Sequence, residues 1–259
     1  NEIELGDLWG NRFTIRIRGL KVGAKKEVRE IMEELGYKVP NFFGVQRFGS
    51  ARPVTHLIGK KILEGDFEGA VRMYLYEYPE GRGFIDTARK NLKETQDFKK
   101  ALGEFPKRYR YERLIIEHLI RYPTDWIGAM RRLPKFLQLM FVHAYQSYLF
   151  NLTLSAELRD GKTREQIPMI GYESELGEIE KGILEKEIVT KEMFLIKSYP
   201  ELSSKGEMRD SWVEVKDFEI LESGADSLVL KLSLQKGAYA TTVLREIMKD
   251  EKRAAEETD

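Results

Sequence analysis

The chain has 259 residues, a formal net charge of zero, 42% hydrophobic residues and 33% charged residues. This composition indicates a folded globular protein and excludes the disordered and collagen-like classes. No apolar run approaches the roughly 18 residues of a membrane helix, and residues 1–11 lack the basic start and apolar stretch of a signal peptide. The absence of Cys excludes disulfides, thiolate metal sites and a thiol nucleophile. We therefore expect a cytoplasmic protein.

Two segments of opposite charge underlie the zero net charge. Residues 104–135 hold eight Lys or Arg and four Asp or Glu, whereas residues 173–192 hold seven Glu and three Lys. Such asymmetry can steer a polyanion to one face of a protein, although charge runs also cover ordinary solvated helix faces. Abundant Glu and Lys are typical of thermophiles. The three His stand far apart, so no metal site is expected.

Strands are predicted at both ends of the chain. Residues 11–18 alternate, with one apolar face and one basic face that carries Arg12, Arg16 and Arg18. A helix is predicted over 22–36. Near the other end, residues 212–220 and 227–234 alternate around a turn at 223–226. A last helix is predicted from Tyr239 to about Lys249, followed by a frayed charged tail.

The middle of the chain is predicted to be mostly helical, because its apolar residues recur three and four positions apart. The predicted helices cover 54–64, 66–77, 84–101, 108–121 and 134–158, with a short one near 178–187 in an otherwise irregular segment, 163–209. This order predicts an α+β protein in which 1–53 and 211–259 form one domain. The two ends would share a thin sheet, and 54–210 would form a mostly helical inserted domain.

The segment 41–49, here named the signature loop, reads Asn-Phe-Phe-Gly-Val-Gln-Arg-Phe-Gly. Its aromatic rings could stack on an unpaired base, while Asn41 and Gln46 could bond a base edge and Arg47 a phosphate. The two Gly residues would permit close approach of a ligand to the backbone. The alternative is that the Phe side chains are core residues and Arg47 is paired at the surface.

Two further segments are candidates for a site. In 235–247, a strand, a Gly turn and a helix would present backbone N–H groups near Ala238–Ala240 to an anion. Arg245 could hold a buried carboxylate there or form an ordinary surface pair with a Glu. In 143–151, the side chains of His143, Gln146 and Ser147 share one helix face. The alternative for His143 is a hydrogen-bonded core histidine.

These segments together resemble the tRNA pseudouridine synthase D (TruD) family. The signature loop matches that family's first motif. Residues 143–151 resemble the archaeal and eukaryotic form of its long-helix motif, and residues 236–247 resemble its C-terminal motif. Residues 8–13 and 200–206 are similar to two further stretches, the second of archaeal type. The five matches keep the family's order and cover nearly the whole chain.

The resemblance implies isomerisation of a uridine to pseudouridine, at uridine 13 of tRNA in bacteria, without a metal or organic cofactor. An aspartate attacks, and the base detaches, turns and rejoins the ribose through carbon, which requires a flipped base. The implied fold is the pseudouridine-synthase mixed sheet with a helical insertion. Phe43 would stack near the uracil, Asn41 would orient the aspartate or the base, and Arg245 would pair with the aspartate. Our predicted RNA-binding residues are Arg16, Arg18, Gln46, Arg47, Arg110, Arg113, His143, Gln146, Lys236 and Tyr239.

One departure from the family's pattern affects the predicted activity. The family's nucleophilic Asp lies upstream of the motif at residues 8–13, and we find no match to its motif in this sequence; Asp7 has the wrong context. We therefore expect this chain alone to be inactive, although it would bind tRNA. We also expect a monomer. The alternatives are an RNA-binding fragment or degenerate relative without chemistry, and a helical scaffold whose basic segment 104–135 meets an acidic protein.

Overall fold

The computed structural model describes residues 8–21, 23–50, 52–76, 84–224 and 226–248. The predicted charged tail and one residue of the predicted 223–226 turn lie outside these residues. The chain has an α+β fold and divides into two compact units. The first unit comprises 1–44, 157–167 and 210–259, and the second comprises 45–156 and 168–209.

The first unit contains a three-stranded antiparallel sheet in the order β1–β7–β6. Its strands are β1 (Gly10–Arg18), β6 (Lys216–Ser223) and β7 (Ser227–Gln235). β1 pairs with β7 over its full length, from Gly10 opposite Gln235 to Arg18 opposite Ser227. This pairing confirms the prediction that the two ends of the chain share a sheet.

The strand predicted over 212–220 is instead two strands in different sheets. β5 (Trp212–Glu214) pairs with β2 (Lys38–Pro40), whereas β6 pairs with β7. Asp217, near the start of β6, has a φ of 51°, and the β6–β7 register shifts between Lys216 and Glu219. The strand direction therefore changes here, and the alternation of side chains shifts by one position: Val213 and Val215 are buried before the break, whereas Phe218 and Ile220 are the half-buried positions after it.

Two helices pack on the apolar side of the first unit. They are α1 (Ala24–Glu34) and α10 (Ala240–Met248), which confirm the helices predicted there with shorter bounds. Met32 and Val243 are fully buried with Leu230 and Leu232 of β7 in one core. Burying such side chains stabilises the unit by about 1.5–3 kcal/mol each.

The second unit is mainly helical, as the apolar periodicity of the middle of the chain predicts. The helices of this part of the chain are α2 (Thr55–Leu63), α3 (Phe67–Leu75), α4 (Phe84–Thr95), α5 (Phe98–Glu104), α6 (Arg110–Arg121), α7 (Trp126–Arg131), α8 (Lys135–Arg159) and α9 (Glu178–Glu187). Their apolar faces form one core that includes Ile62, Ile115 and Phe141. Two short strands, β3 (Gln166–Met169) and β4 (Glu207–Asp210), pair with each other.

One helix prediction in the middle of the chain is wrong. The helix predicted over 84–101 is interrupted between α4 and α5, where Gln96 adopts a φ of 51°. The carboxylate of Asp97 accepts a hydrogen bond from the Lys100 N–H at 3.0 Å and so caps α5. Asp favours such caps over helix interiors. Within the described residues, no helix has the length and apolar character that crossing a membrane would require.

Candidate active site

The first unit holds Asn41, the first residue of the signature loop, by two hydrogen bonds. The Asn41 N–H donates to the Ser211 carbonyl at 2.8 Å, which extends the β2–β5 pairing by one residue. The side-chain amide Nδ2 donates to the Asp210 carbonyl at 2.8 Å. Because Asn41 is only 3% exposed, these bonds fix the orientation of its amide. Such fixed orientation is required of a group that directs a reacting partner.

Phe43 lies against Tyr239, the residue that precedes α10. Their ring centroids are 6.0 Å apart, with an interplanar angle of 64°, which is the edge-to-face arrangement that aromatic pairs favour. Phe43 is 9% exposed, yet it belongs to neither of the two apolar cores formed by the described residues. The contact joins the signature loop to the C-terminal motif.

Arg245 also contacts the signature loop. Its guanidinium carbon lies 5.0 Å from the centroid of the Phe42 ring, within the range of a cation–π contact. The Nε atom lies 4.0 Å from a carboxylate oxygen of its neighbour Glu246. Three loop residues, Asn41 to Phe43, are thus held by two C-terminal stretches of the first unit.

The turn before α10 uses one of the N–H groups that were candidates for anion binding. Gly237 has a φ of 83°, and the Ala238 N–H donates to the Gln235 carbonyl at 3.2 Å. The Lys236 N–H donates to the Trp9 carbonyl at 2.9 Å, while the Lys236 side chain is exposed. An anion site here would therefore depend on side chains more than on the Ala238 N–H group.

In the second unit, the other half of the signature loop meets the long-helix motif. Arg47 Nε donates to Ser147 Oγ at 3.0 Å, and that hydroxyl donates to the His143 carbonyl at 2.7 Å. Burial lowers the pKa of His143, and the charge of Arg47 lowers it further, so this imidazole is neutral near pH 7. Gln46 is exposed in a short 3₁₀ turn, Val45–Arg47.

Gln146 has its side-chain amide engaged within the second unit. Its Nε2 donates to the Ile170 carbonyl at 2.8 Å and to Ser204 Oγ at 2.9 Å, and the residue is only 3% exposed. These contacts tie α8 to the segment after β3. The RNA-binding role of Gln146 stays a prediction, and it would require the amide to exchange these partners for RNA.

The basic face of β1 is largely paired with carboxylates. Arg16 Nη2 lies 2.7 Å from Glu222, and Arg12 Nη2 lies 3.5 Å from Asp217, both on β6. Between them, Lys231 of β7 lies 3.2 Å from Glu219. The sheet face therefore carries alternating charges, and its positive potential is lower than the sequence of β1 alone indicates.

The two Arg residues predicted to bind RNA in α6 have different environments. Arg113 Nη1 donates to the carbonyls of Leu102 and Phe105 at 2.5 and 2.7 Å, and so satisfies the carbonyl end of α5. Arg110 is exposed, lies over the ring of Tyr111 at 4.6 Å and bonds its hydroxyl at 2.9 Å. Arg110 is therefore the better placed of the two to contact a partner.

One cluster in the second unit escaped the sequence analysis. The carboxylate of Glu187 accepts hydrogen bonds from Tyr145 and Tyr148 and pairs with Lys60, at distances of 3.0 to 3.2 Å. These residues come from α2, α8 and α9, so no local motif joins them. A single Glu within a Glu-rich segment gives no signal of its own. Among the described residues, no His, Cys, Asp or Glu side chains are grouped so that they could hold a metal ion.

Comparison with known proteins identifies the class to which this fold and site belong. A family model described as tRNA pseudouridine synthase D (TruD) matches residues 1–168 and 156–247. The chain therefore belongs to the TruD family, whose members are pseudouridine synthases, a class of isomerases. This finding confirms the resemblance drawn from the five sequence motifs.

Individual relatives agree with the family model. A Methanopyrus kandleri protein described as "Probable tRNA pseudouridine synthase D" is 46% identical over 266 residues, covering 95% of this chain and 66% of that protein. A Methanosarcina acetivorans protein with the same description is 40% identical, with coverage of 95% and 70%. A crystal structure described as "Putative tRNA pseudouridine synthase D (TruD)" from Methanosarcina mazei superposes with a TM-score of 0.85 at 38% identity, covering 96% of this chain and 71% of that one. The chain thus spans about two thirds of the length of these relatives.

Proposed function

We propose that the protein isomerises a uridine of tRNA to pseudouridine, at the position equivalent to uridine 13. The observation that carries the proposal is the joining of the signature loop to the C-terminal motif in the first unit, through Phe43 with Tyr239 and Phe42 with Arg245. The signature loop and the C-terminal motif both lie within the family match. They are nearly 200 positions apart in the sequence, yet their aromatic and Arg side chains contact each other. The proposed catalytic domain is 1–53 with 211–259, and the proposed inserted domain is 54–210.

The isomerisation adds no atoms to the uridine, so the site must mainly hold the base and the ribose in position. Uridine and pseudouridine are isomers: the N1–C1′ bond breaks, a C5–C1′ bond forms, and a proton leaves C5 while N1 gains one. The base must leave its stack and turn, so the site must hold it by stacking and by its edges. We assign the stacking role to Phe43, the edge or nucleophile contact to Asn41, and the charge contact with the nucleophilic Asp to Arg245.

The RNA contacts that we propose follow from exposure and charge. Gln46, Arg110 and Lys236 have exposed side chains, which favours them as contacts with tRNA phosphates or bases. Arg18 is exposed on the same sheet face as Arg16, whose charge is already paired. Arg47, His143 and Tyr239 are partly exposed. Arg47 belongs to the signature loop, Tyr239 contacts Phe43 of that loop, and the charge of Arg47 acts on His143.

The test is pseudouridine formation in a defined tRNA transcript under single-turnover conditions. The complete gene product and the chain of residues 1–259 are assayed side by side, because the family's Asp motif has no match in these 259 residues. We expect pseudouridine at one position with the complete product, and RNA binding without product from residues 1–259. Binding without pseudouridine from both proteins would favour the alternative, a structured-RNA-binding relative without chemistry.

A further inference from the structure

Three aromatic rings form a row behind the signature loop in the second unit. The ring of Phe48 contacts the imidazole of His56 edge to face, with centroids 5.2 Å apart and an interplanar angle of 81°. The imidazole stacks on Tyr148 at 5.0 Å and 28°. His56 is thus held between a residue of the loop and a residue of α8.

The far end of this row is anchored to a carboxylate. The Tyr148 hydroxyl donates to Glu187 at 3.2 Å, and Lys60 and Tyr145 contact the other oxygen of the same carboxylate. Burial and the nearby Glu187 raise the pKa of Tyr148 to about 12, so this hydroxyl keeps its proton and remains a donor. The ring of Tyr148 is therefore a fixed support for His56.

The two nitrogens of His56 have unequal surroundings. Nδ1 is buried and has no hydrogen-bond partner among the described residues. Nε2 also has no partner among them, but it is not buried. An unsatisfied buried nitrogen costs stability, and a Phe at this position would make the same ring contacts without that cost. A His at this position is explained if Nε2, the accessible nitrogen, bonds to a ligand.

The protonation of His56 follows from its burial. Burial lowers its pKa to about 4, against the opposing effect of Glu187, so the imidazole is neutral near pH 7. A proton on Nδ1 would be buried without an acceptor, whereas a proton on Nε2 can reach water or a ligand. The favoured tautomer therefore presents an Nε2–H donor at the surface, one ring away from Phe48 of the signature loop.

We propose that His56 is an RNA-contacting residue whose Nε2–H donates to a backbone oxygen of the bound tRNA beside the signature loop. The inference rests on the proposed function, because it takes tRNA as the ligand. Backbone oxygens are the acceptors to which most polar contacts in nucleic-acid complexes are made. The row of rings gives the donor a fixed direction, so little side-chain freedom is lost on binding.

Three substitutions separate the donor from the ring. His56→Phe keeps the ring and removes both nitrogens, His56→Gln places an amide near the position of Nε2, and His56→Asn places one near Nδ1. We measure the affinity of the complete gene product for an unmodified tRNA transcript, its pseudouridine formation, and its thermal midpoint. Tyr145→Phe is the matched control, because it removes one hydroxyl bond to Glu187 and leaves Phe48, His56 and Tyr148 unchanged.

We expect His56→Phe to have a thermal midpoint at or above that of the wild type and a roughly tenfold weaker affinity for tRNA. His56→Gln should bind more tightly than His56→Asn, although both lose the ring. Tyr145→Phe should lower the thermal midpoint and leave affinity nearly unchanged. If His56 only packed, His56→Phe would not weaken tRNA binding while its thermal midpoint stayed the same or rose.

Wild-type affinity for His56→Phe, or equal losses for the Gln and Asn variants, would overturn the donor role. If the wild type binds and modifies tRNA while His56→Phe does so equally well, this inference fails and the proposed function stands. If the wild type binds tRNA and forms no pseudouridine, weaker binding by His56→Phe still supports the contact while the proposed activity fails. A wild type that does not bind tRNA overturns both.

Discussion

The guanidinium carbon of Arg245 lies 5.0 Å from the centroid of the Phe42 ring, so α10 meets the signature loop through a cation–π contact. From the sequence, the predicted partner of Arg245 is either a buried carboxylate or a surface Glu. The structure adds an aromatic face, with the Glu246 carboxylate at 4.0 Å from Nε. A guanidinium that lies against a ring keeps its plane and its charge available to a second partner.

Arg245→Lys should therefore lower the rate of pseudouridine formation far more than it lowers stability. Lys keeps the positive charge but lacks the planar fork that a carboxylate can meet with two bonds. We expect a loss of about 10²-fold in the single-turnover rate, the order expected when a catalytic group is misplaced by about 1 Å. The measurement is the rate of the complete gene product at saturating enzyme. Arg29→Lys, an exposed substitution on α1, is the control and should keep the wild-type rate.

Phe43 offers a second test, because its ring could serve the substrate or only the packing. Phe43→Leu keeps apolar volume and removes the flat face, so the rate should fall roughly 10- to 100-fold, as expected when base stacking is lost. The free energy of unfolding should fall by only about 1 kcal/mol, the value of the aromatic pair with Tyr239. The rate of pseudouridine formation and the free energy of unfolding in denaturant are measured on the same preparation of the Phe43→Leu variant. Proportional losses of rate and stability would assign Phe43 to packing alone.

The sequence predicted the fold class and the joined ends of the chain because both depend on local periodicity. The alternation in β1 and β7 and the apolar stripe of α1 are visible within a few residues. The division at Asp217 gives only a small signal in the sequence: Lys216 and Asp217 are two polar residues in succession, and they shift the alternation by one position where Asp217 takes its positive φ. The break at Gln96 between α4 and α5 lies in a run of five polar residues, 93–97, so no apolar position marks where one helix ends and the next begins.

The sequence indicates candidate site residues where a motif is contiguous, and it gives no signal where the contacts come from several elements. Asn41, Phe43 and Arg245 lie in short segments that the family resemblance covers. Asn41 bonds to the backbone carbonyls of Asp210 and Ser211. Every residue type has such a carbonyl, so the sequence does not identify these partners. The ring of His56 likewise acquires its contacts only when the start of α2 and the middle of α8 come together.

The second unit contains a buried ion pair whose loss should be costly. Arg89 Nη2 lies 3.0 Å from Glu112, with side-chain exposures of 6% and 11%, and Arg89 also donates to the Leu75 carbonyl. Glu112→Gln leaves the guanidinium buried without its countercharge, which should cost about 3–5 kcal/mol. The measurement is the free energy of unfolding in urea. The double variant Arg89→Met with Glu112→Leu removes both charges, so its free energy of unfolding should fall less than that of Glu112→Gln. A larger fall in the double variant would show that Arg89 is needed chiefly for its carbonyl contacts.

Arg110 and Arg16 should differ in their contribution to tRNA binding. Arg110 is exposed and has no ion pair with the described residues, whereas Arg16 is paired with Glu222 at 2.7 Å. A contact with phosphate releases counterions, so Arg110→Gln should make the slope of log affinity against log salt shallower by about one. Arg16→Gln should change that slope less, because its charge is already compensated. Affinities of the complete gene product for a tRNA transcript are measured over a series of salt concentrations.

Either variant can contradict this ranking. An unchanged slope for Arg110→Gln with a shallower slope for Arg16→Gln would place the RNA on the sheet face and require Arg16 to exchange Glu222 for phosphate. The variant Glu222→Gln then provides the check, because freeing Arg16 from its carboxylate should strengthen binding if that face contacts RNA. If the sheet face lies away from RNA, Glu222→Gln should leave both the affinity and the salt slope of the wild type unchanged.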